Sequence, residues 1–284
     1  MIPFRCIATT ADFFIADLNH PFAHFESEIE INILDVHDLL DSRGGALQEV
    51  MSIILNGPGM EARTEVTPTD FLSDSKALAR EDENDDAIFY QPPRLVTHMD
   101  DEAINKVTGI YRQLLKPGDV CLDLMSSYRS YLPPEIPLAS VEGVGMNAEE
   151  LKANNQLTSW RIHDLNKFPT LPYESESYDV VVCTASVEYL IKPFEIFQEV
   201  KRILKPNGVF ALTFSNRYFP PKIIGVWKDL HEFERMGLVC EYFLQTGYRD
   251  VHTTSIRGWP RPEHDRYFPR IRTCDPVFAV WGYK

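Results

Sequence analysis

The sequence lacks the features that mark exported and membrane proteins. Its five cysteines stand far apart, with an odd total and no CxxC pair, which argues against a disulfide framework and favours free thiols in a reducing compartment. No apolar run approaches the ~20 residues that a bilayer crossing needs. The first residues also lack the basic cluster and apolar stretch of an export signal. These absences predict a cytoplasmic protein with no membrane span.

Positive charge is scarce. The chain has 28 Lys and Arg residues against 42 Asp and Glu residues, a net charge of −14. Most of the excess lies in the first hundred positions, where 19 acidic residues accompany 6 basic ones. Such a field repels phosphate backbones and anionic lipid surfaces. The sequence therefore predicts no nucleic-acid or membrane partner. We assign no metal ligands, and the oligomeric state stays open.

The length of 284 residues allows one large domain or two unequal ones. Period-two alternation over 28–33 predicts a strand, and apolar spacing over 47–55 predicts a helix. We therefore expect a small α+β domain over residues 1–80. Five acidic residues within 81–86 predict a solvated acidic linker over 81–88. A second domain would then cover residues 89–284.

The second domain shows short apolar strands that alternate with helical segments. Such alternation predicts βαβ units and a mostly parallel sheet covered by helices on both faces. The last two strands, 248–256 and 276–283, have no long helix between them, which predicts an antiparallel hairpin at the sheet edge. The earlier strands are predicted at 119–124, 138–145, 158–164, 178–184 and 208–214, with helices seeded at 100–101, 148 and 193.

Residues 178–216, YDVVVCTASVEYLIKPFEIFQEVKRILKPNGVFALTFSN, resemble the fourth-strand to fifth-strand segment of class I S-adenosylmethionine-dependent methyltransferases of the type 11, small-molecule group. The turn Leu204 to Gly208 is the strongest single match. Segments 138–155 and 161–182 resemble the family's second to fourth strands, so the resemblance covers residues 90–284. It implies a Rossmann-like α/β fold with a seven-stranded, mostly parallel sheet. It also implies S-adenosyl-L-methionine as cofactor, S-adenosyl-L-homocysteine as product and a small-molecule acceptor.

Two departures from the family fall in the predicted cofactor site. After the first strand the acid is kept as Asp123, but Met125, Ser127 and Arg129 replace three glycines, and Ser126 with Ser127 would line the loop. At the end of the second strand the family's ribose-binding acid is replaced by Gly145. Met146 would cover the adenine face. Asn147 would either take over ribose binding or simply cap the following helix.

The resemblance assigns further cofactor contacts. Asp164, Leu165 and Asn166 match the loop that meets the adenine ring, with Asp164 accepting the exocyclic amine. Cys183, Ala185 and Ser186 follow the fourth strand, where the methyl group meets the acceptor.

Ahead of the first helix, Tyr90 and Arg94 would close over the methionine end of the cofactor. Arg94 would pair with its carboxylate; a surface salt bridge is the alternative.

The acceptor pocket is assigned to Tyr189, Tyr218, Phe219 and Trp227, with His231 as the candidate catalytic base. No Asn/Asp-Pro-Pro-aromatic tetrapeptide follows the fourth strand, which disfavours nucleobase acceptors. The basic, aromatic stretch 257–272 is interpreted as a solvated loop, or alternatively as a surface that docks the acidic N-terminal region.

Residues 19–36 resemble part of an FKBP-type prolyl isomerase, without an identifiable proline pocket. We expect an interaction or lid domain there, with no isomerase activity. For the whole chain we predict methyl transfer to a small molecule. The alternative is a non-catalytic, methyltransferase-like module that senses the cofactor or contacts a protein; the missing glycines and the missing ribose acid favour it.

Overall fold

The computed structural model describes residues 5–9, 14–17, 71–72 and 74–284. The chain divides into two compact units, and residues 71–72 and 74–284 belong to one of them. In the other unit, strands β1 (Arg5–Thr9) and β2 (Phe14–Asp17) form an antiparallel pair. The predicted strand at 28–33, the helix at 47–55 and the FKBP-like segment lie outside the described residues. The predicted division of the first hundred residues into domains stays a prediction.

The larger unit is built on a seven-stranded sheet, as the sequence predicts. Its strand order is β5-β4-β3-β6-β7-β9-β8. The first five strands in that order run parallel, and β9 lies antiparallel between β7 and β8. The bounds are β3 Val120–Leu124, β4 Ser140–Gly145, β5 Ser159–Ile162, β6 Tyr178–Thr184, β7 Leu204–Phe214, β8 Arg249–Ile256 and β9 Val277–Tyr283.

Helices cover both faces of this sheet. They are α1 Asp86–Phe89, α2 Asp101–Leu114, α3 Ala148–Ala153, α4 Pro193–Ile203, α5 Gly225–Asp229 and α6 Glu232–Gln245, with a 3₁₀ turn at Val187–Tyr189. One apolar core places Val107 and Tyr111 of α2 against Val182 and Ala211 of the sheet. The other contains residues of α4 and α6, such as Phe197. Central strands buried on both faces explain the continuous apolar runs in the sequence.

The strand order reverses at β3. The chain passes from β3 to β4 on one side and returns to β6 on the other. In an open parallel sheet, ligands bind in the crevice at the carboxyl ends of the strands where this reversal occurs. We therefore expect the functional site in the loops that follow β3, β4, β5 and β6.

One acidic residue of the predicted linker, Asp86, is not solvated. Asp86 is 6% exposed, and its carboxylate accepts two hydrogen bonds from Arg80 Nη1, at 2.8 and 2.9 Å. The Nζ of Lys222, a side chain with 0% exposure, lies 3.0 Å from Asp86 Oδ1 and also donates to the Asp82 and Asn84 carbonyls. Two cations thus offset the desolvation of one carboxylate. Asp86 therefore packs into the larger unit because its partners lie there, whereas Glu81, Glu83 and Asp85 of this segment are exposed.

Most of the segment 257–272 is exposed, as its interpretation as a solvated loop expects, but Arg261 is an exception. The side chain of Arg261 is fully buried and forms ion pairs with Asp100 at 3.1 Å, with Asp265 at 3.0 Å and with Asp275 at 3.5 Å. Asp100 also caps α2 by accepting from the Ala103 N–H. The insert between β8 and β9 is therefore fixed to the start of α2. Docking to the acidic N-terminal region concerns residues outside the described part.

Among the helices of the described residues, none is both long enough and apolar enough to cross a membrane.

The buried cluster around Asp86 gives a stability prediction. We expect Lys222→Met to lower the free energy of unfolding by about 3 kcal/mol, because it removes one partner of a buried carboxylate. Lys205→Met is the matched control: its pair with Asp179 is 38% and 32% exposed, so we expect a loss of about 1 kcal/mol or less. Urea unfolding measures both. Equal losses would contradict the assignment of a buried, coupled pair.

Candidate functional site

One cavity of about 140 Å³ lies at the carboxyl ends of the parallel strands. The loops after β3, β4, β5 and β6 all contribute to it, and the segment before α2 closes one side. Of the predicted site residues, it brings together Tyr90, Arg94, Asp123, Met125, Ser126, Ser127, Gly145, Met146, Asn147, Asp164, Leu165, Asn166, Ala185, Ser186, Tyr189 and Phe219.

The loop after β3 contains a backbone conformation that usually requires glycine, although it has no glycine. Met125 has φ of +57°, the left-handed region that L-residues other than glycine seldom adopt. The next residue, Ser126, donates its N–H to the Val144 carbonyl at 2.8 Å. A Cβ placed on Gly145 would lie 2.2 Å from the Ser126 carbonyl oxygen. The two departures from the family are therefore one structural change, because the loop packs where a strand-two side chain would otherwise begin.

Asp123 lies beneath this loop. The residue is 3% exposed. Its Oδ2 accepts hydrogen bonds from Ser126 Oγ at 2.5 Å and Ser130 Oγ at 2.6 Å. Burial raises the pKa of Asp123 to about 6, although the two hydroxyl donors act in the opposite direction. Its Oδ1 has no hydrogen-bond partner among the described residues, so one carboxylate oxygen is left for a ligand in the cavity.

Asn147 has its hydrogen-bonding capacity filled by protein groups. Its Oδ1 accepts from the N–H groups of Glu149 and Glu150, which caps α3. Its Nδ2 donates to the carbonyls of Tyr90 and Gln91, each at 2.9 Å. The capping alternative is confirmed. Ribose binding by Asn147 would require these bonds to break.

Glu150 is a cavity residue that the sequence analysis missed. Its Oε1 accepts from the Arg94 N–H at 2.7 Å, and its Oε2 accepts from Ser127 Oγ at 2.6 Å. It therefore ties the loop after β3 to the segment before α2. The sequence signal was its position one turn into a helix that starts at the strand-two end.

The loop after β5 contains one residue open to a ligand and one structural residue. Asp164 Oδ1 accepts from the N–H groups of Asn166 and Lys167, while its Oδ2 has no hydrogen-bond partner in the described part of the chain. The Asn166 amide is buried and donates to Asp86 Oδ2 at 2.9 Å and to the Tyr189 carbonyl at 3.0 Å. Asn166 therefore fixes the loop, and Asp164 keeps a free oxygen.

Arg94 borders the cavity with an unsatisfied donor. Its Nη2 donates to the Phe89 carbonyl at 2.9 Å, and its guanidinium carbon lies 4.6 Å from the Phe89 ring centre and 5.1 Å from that of Phe219. Its Nη1 is buried and has no hydrogen-bond partner within the described residues. No salt bridge joins Arg94 to a carboxylate there, so the surface salt-bridge alternative is not supported. A buried N–H without a partner costs free energy, which a ligand oxygen would recover.

Four predicted site residues lie elsewhere in the described structure, away from the lining of this cavity. Cys183 is fully buried within β6, and Trp227 is fully buried against the Phe214 ring at 5.2 Å. Tyr218 packs beneath the Arg235 guanidinium. His231 is exposed at the start of α6, where its N–H donates to Glu234 Oε2. The first three belong to the core that supports the site, and His231 does not line the cavity.

The cavity also contains residues that the sequence analysis did not assign. They come mainly from the segment before α2, whose irregular backbone gave no periodic pattern, and from the loop after β3. They are Asp86, Val96, His98, Met99, Tyr128, Arg129, Tyr131, Val144, Glu150, His163 and Thr184.

Glu188 is a buried acid beside the cavity residue Tyr189. It is 1% exposed, and neither carboxyl oxygen has a hydrogen-bond partner among the described residues. Burial raises the pKa of Glu188 to about 8, with the charge of Arg235 opposing the shift. At neutral pH the side chain is therefore a neutral acid in the folded protein.

Comparison with known proteins decides the class of this domain. The model of the family described as "Methyltransferase domain" matches residues 128–212. Over these residues the larger unit is similar to methyltransferase domains, in agreement with the resemblance to class I S-adenosylmethionine-dependent methyltransferases found in the sequence. S-adenosylmethionine is the cofactor of this class. The match begins at Tyr128, so two of the three replaced glycine positions, Met125 and Ser127, lie before it, and the third, Arg129, lies within it.

Two curated proteins show the extent of the similarity. The ubiquinone biosynthesis O-methyltransferase of Haemophilus ducreyi is 24% identical over 146 residues, which cover 43% of this chain and 59% of that protein. The biotin biosynthesis bifunctional protein BioHC of Teredinibacter turnerae is 29% identical over 89 residues, 31% of this chain and 15% of that protein. The chain thus spans less than two thirds of either relative.

Solved structures with a similar backbone include other methyltransferases. One is the complex between the Trm112 methyltransferase activator and a methyltransferase of Haloferax volcanii, with a TM-score of 0.48, 18% identity, and coverage of 64% of this chain and 90% of that chain. Another is phosphoethanolamine N-methyltransferase 2 of Haemonchus contortus, with a TM-score of 0.43, 14% identity, and coverage of 62% and 52%.

The close contact between the loop after β3 and Gly145 of β4 predicts that one added methyl group strongly destabilises the fold. We expect Gly145→Ala to lower the free energy of unfolding by about 3 kcal/mol, because its Cβ would overlap the Ser126 carbonyl. Gly109→Ala in α2 is the matched control. Its nearest atom is the flexible end of Arg112 at 3.9 Å, so we expect a gain of up to about 1 kcal/mol. A tolerated Gly145→Ala in thermal and urea unfolding would contradict the packed loop.

The raised pKa of Glu188 predicts a pH dependence of stability. Its folded pKa of about 8 exceeds the ordinary glutamate pKa of 4.5, so the folded state binds the extra proton, and wild-type stability falls as pH rises between these values. We therefore expect Glu188→Gln to become progressively more stable than wild type over this window and then level off. Urea unfolding at several pH values measures the difference.

The control for that series is Glu199→Gln. Hydrogen bonding to Arg202 lowers the pKa of Glu199, so its contribution is present above the unfolded pKa and is lost only at lower pH. The difference between this variant and wild type should stay flat where that of Glu188→Gln rises. A flat Glu188→Gln series would show that the carboxyl is ionised in the folded protein.

Proposed function

We propose that this domain binds S-adenosylmethionine in the cavity and directs its methyl group to a small-molecule acceptor. The observation that carries the proposal is the buried, unpartnered Nη1 of Arg94 at the edge of a cavity formed by four strand ends. A guanidinium in that position fits a carboxylate, and the methionine end of the cofactor has one.

The other cavity residues fit the remaining parts of the cofactor. Asp123 has a pKa of about 6, so most molecules carry a negative charge there at neutral pH, which suits the cofactor's ammonium group. At the other end, the free Oδ2 of Asp164 suits the exocyclic amine of adenine. Met146 lies between these regions as a flexible apolar side chain that suits a ring face. The donor and acceptor set therefore fits the nucleoside.

The cavity must widen to admit the cofactor. Its volume of about 140 Å³ lies below the ~300–1,000 Å³ of cavities that enclose drug-sized ligands. The segment 91–98 forms one wall, and it exposes Leu95 and Val96 at 53% and 58%. Since these side chains contribute little to the core, we propose that this wall moves outward when the cofactor binds.

Methyl transfer places modest demands on the protein. Bound S-adenosylmethionine supplies a methyl group on a sulfonium sulfur, which is a good leaving group. The residues of this chain need to orient the acceptor and exclude water. Tyr189 and Phe219 suit that role, because the Tyr189 hydroxyl accepts the Phe219 N–H at 2.9 Å and fixes both rings beside Ala185 and Ser186.

The curated relatives favour an oxygen acceptor. The proteins of Haemophilus ducreyi and Actinobacillus pleuropneumoniae are named as O-methyltransferases of ubiquinone biosynthesis. We therefore propose a small molecule with a hydroxyl group as the acceptor of this chain. A cytoplasmic location stays a prediction.

Arg94 allows a test on the ligand side. We expect Arg94→Met to weaken S-adenosylhomocysteine binding by about 10-fold or more, because a charge-assisted hydrogen bond is lost. Binding of 5′-methylthioadenosine, which lacks the amino-acid end, should change little. Isothermal titration calorimetry of wild type and variant with both ligands measures the difference. Arg161→Met, on exposed β5, is the control and should bind both ligands as wild type does.

Equal weakening for both ligands would mean that Arg94 only supports the cavity wall. No binding of S-adenosylmethionine by wild type at millimolar concentration would overturn the proposed function and favour the protein-contact module. Binding without transfer to any hydroxyl compound would favour cofactor sensing.

A further inference from the structure

A second cavity adjoins the first. Its volume is about 870 Å³, and the two cavities share Val96, His98, Met99 and Tyr128. The remaining wall comes from the start of α2, from Arg217 after β7, and from the insert between β8 and β9. The two cavities thus lie side by side with four shared side chains, and the second is large enough for another small molecule.

The strand directions explain why this insert reaches the site. Because β9 is antiparallel to both β7 and β8, the carboxyl end of β8 lies at the same sheet edge as those of the parallel strands. The insert begins at that edge. Its buried Arg261 holds it against Asp100 and Asp275. The wall of the second cavity is therefore part of the folded domain.

The lining of the second cavity disfavours anionic molecules. Its carboxylates outnumber its arginines, since Asp100, Asp101, Glu102, Asp265 and Asp275 face only Arg217 and Arg266. Three of these acids, Asp100, Asp265 and Asp275, are ion-paired with Arg261, and Asp275 is also paired with Arg217. Even with Arg261 included, the carboxylates outnumber the arginines, so the walls do not favour a phosphate or carboxylate. The rings of Tyr128 and Tyr267 also line the cavity. An aromatic molecule without a negative charge suits these walls.

His98 is the histidine common to both cavities. Within the described residues, His163 lines the first cavity alone and His264 the second alone. The His98 ring contacts the Phe219 ring edge-on at 5.1 Å, and neither ring nitrogen has a hydrogen-bond partner in the part of the chain that is described. The imidazole is therefore available at the point where two bound molecules would meet.

The charges near His98 favour its neutral form. Partial burial, followed by the charge of Arg94, lowers the pKa of His98, while Glu150 acts in the opposite direction. The other charged side chains that line the two cavities are Asp86, Asp100, Asp101, Glu102, Asp123, Arg129, Asp164, Arg217, Asp265, Arg266 and Asp275. A neutral imidazole at pH 7 can accept a proton.

We propose that the second cavity holds the methyl acceptor, an aromatic compound with a hydroxyl group, and that His98 is the catalytic base that takes the hydroxyl proton. This inference rests on the proposed function and assigns its substrate class. As the hydroxyl proton passes to the imidazole, the oxygen lone pair forms the new bond to the methyl carbon. The carbon–sulfur bond breaks with its electron pair going to sulfur, and the imidazolium later releases its proton to water.

Catechol is the probe for this proposal, and aniline, a ring of the same size with an amine, is its control. Calorimetry measures catechol binding to protein saturated with S-adenosylhomocysteine. Mass spectrometry measures methylated product from S-adenosylmethionine across a pH series. The variants are His98→Gln and His231→Gln, the latter outside both cavities.

We expect wild type to bind and methylate catechol in preference to aniline, with kcat rising as His98 loses its proton. His98→Gln should lower kcat by about 100-fold or more and abolish that pH dependence, while leaving S-adenosylmethionine and catechol affinities unchanged. His231→Gln should behave as wild type. Tyr267→Ala, in the insert wall, should weaken catechol binding alone.

Three results would overturn the proposal. One is an unchanged pH profile and rate in His98→Gln. Another is preferential methylation of aniline. The third is a protein that binds S-adenosylmethionine but neither binds nor methylates catechol. Each leaves the cofactor site intact, whereas failure to bind S-adenosylmethionine would refute the proposed function itself.

Discussion

The contact between the Ser126 carbonyl and the end of β4 determines the shape of the cofactor region. It requires a residue without a Cβ at position 145, because the carbonyl oxygen occupies the space that a side chain would fill. It also depends on the left-handed backbone of Met125. Once the loop is packed in this way, Ser126 bonds to Asp123 and Ser127 to Glu150. Loss of a glycine run and loss of a strand-end acid thus become a single, self-consistent arrangement.

The wall of the first cavity that is formed by the segment before α2 is held in place by a series of buried polar contacts. Asp86 accepts from Arg80 and Asn166 and pairs with Lys222. Since α1 begins at Asp86, this cluster fixes the start of the segment that carries Arg94. Asn147 holds the same segment from the α3 side by bonding two of its carbonyls. The wall is anchored at these points and exposed farther along, which fits a boundary that must open for a ligand.

The sheet could be predicted from the sequence because each strand is a short apolar run bounded by turn residues, and because local periodicity reflects the fold directly. The position of the site in the loops after β3 to β6 could be predicted as well, because it follows from the order of the strands. The second cavity and the buried ion pairs could not be predicted. Arg261 and Asp86 look like surface charges in sequence, and only long-range pairing with Asp100 and Lys222 buries them. His98 belongs to no sequence motif. Its position between the two cavities depends on segments that are distant in sequence, so it could not be predicted.

The central claim is that this rearranged crevice still holds a sulfonium nucleoside with its amino-acid end at Arg94. A crystal structure of the protein with S-adenosylhomocysteine tests it most directly. The account predicts density with the ligand carboxylate within hydrogen-bonding distance of Arg94 Nη1 and the adenine amine beside Asp164. Density in another location, or a crevice that stays closed by Met125 and the wall at 91–98 at saturating ligand, would contradict it.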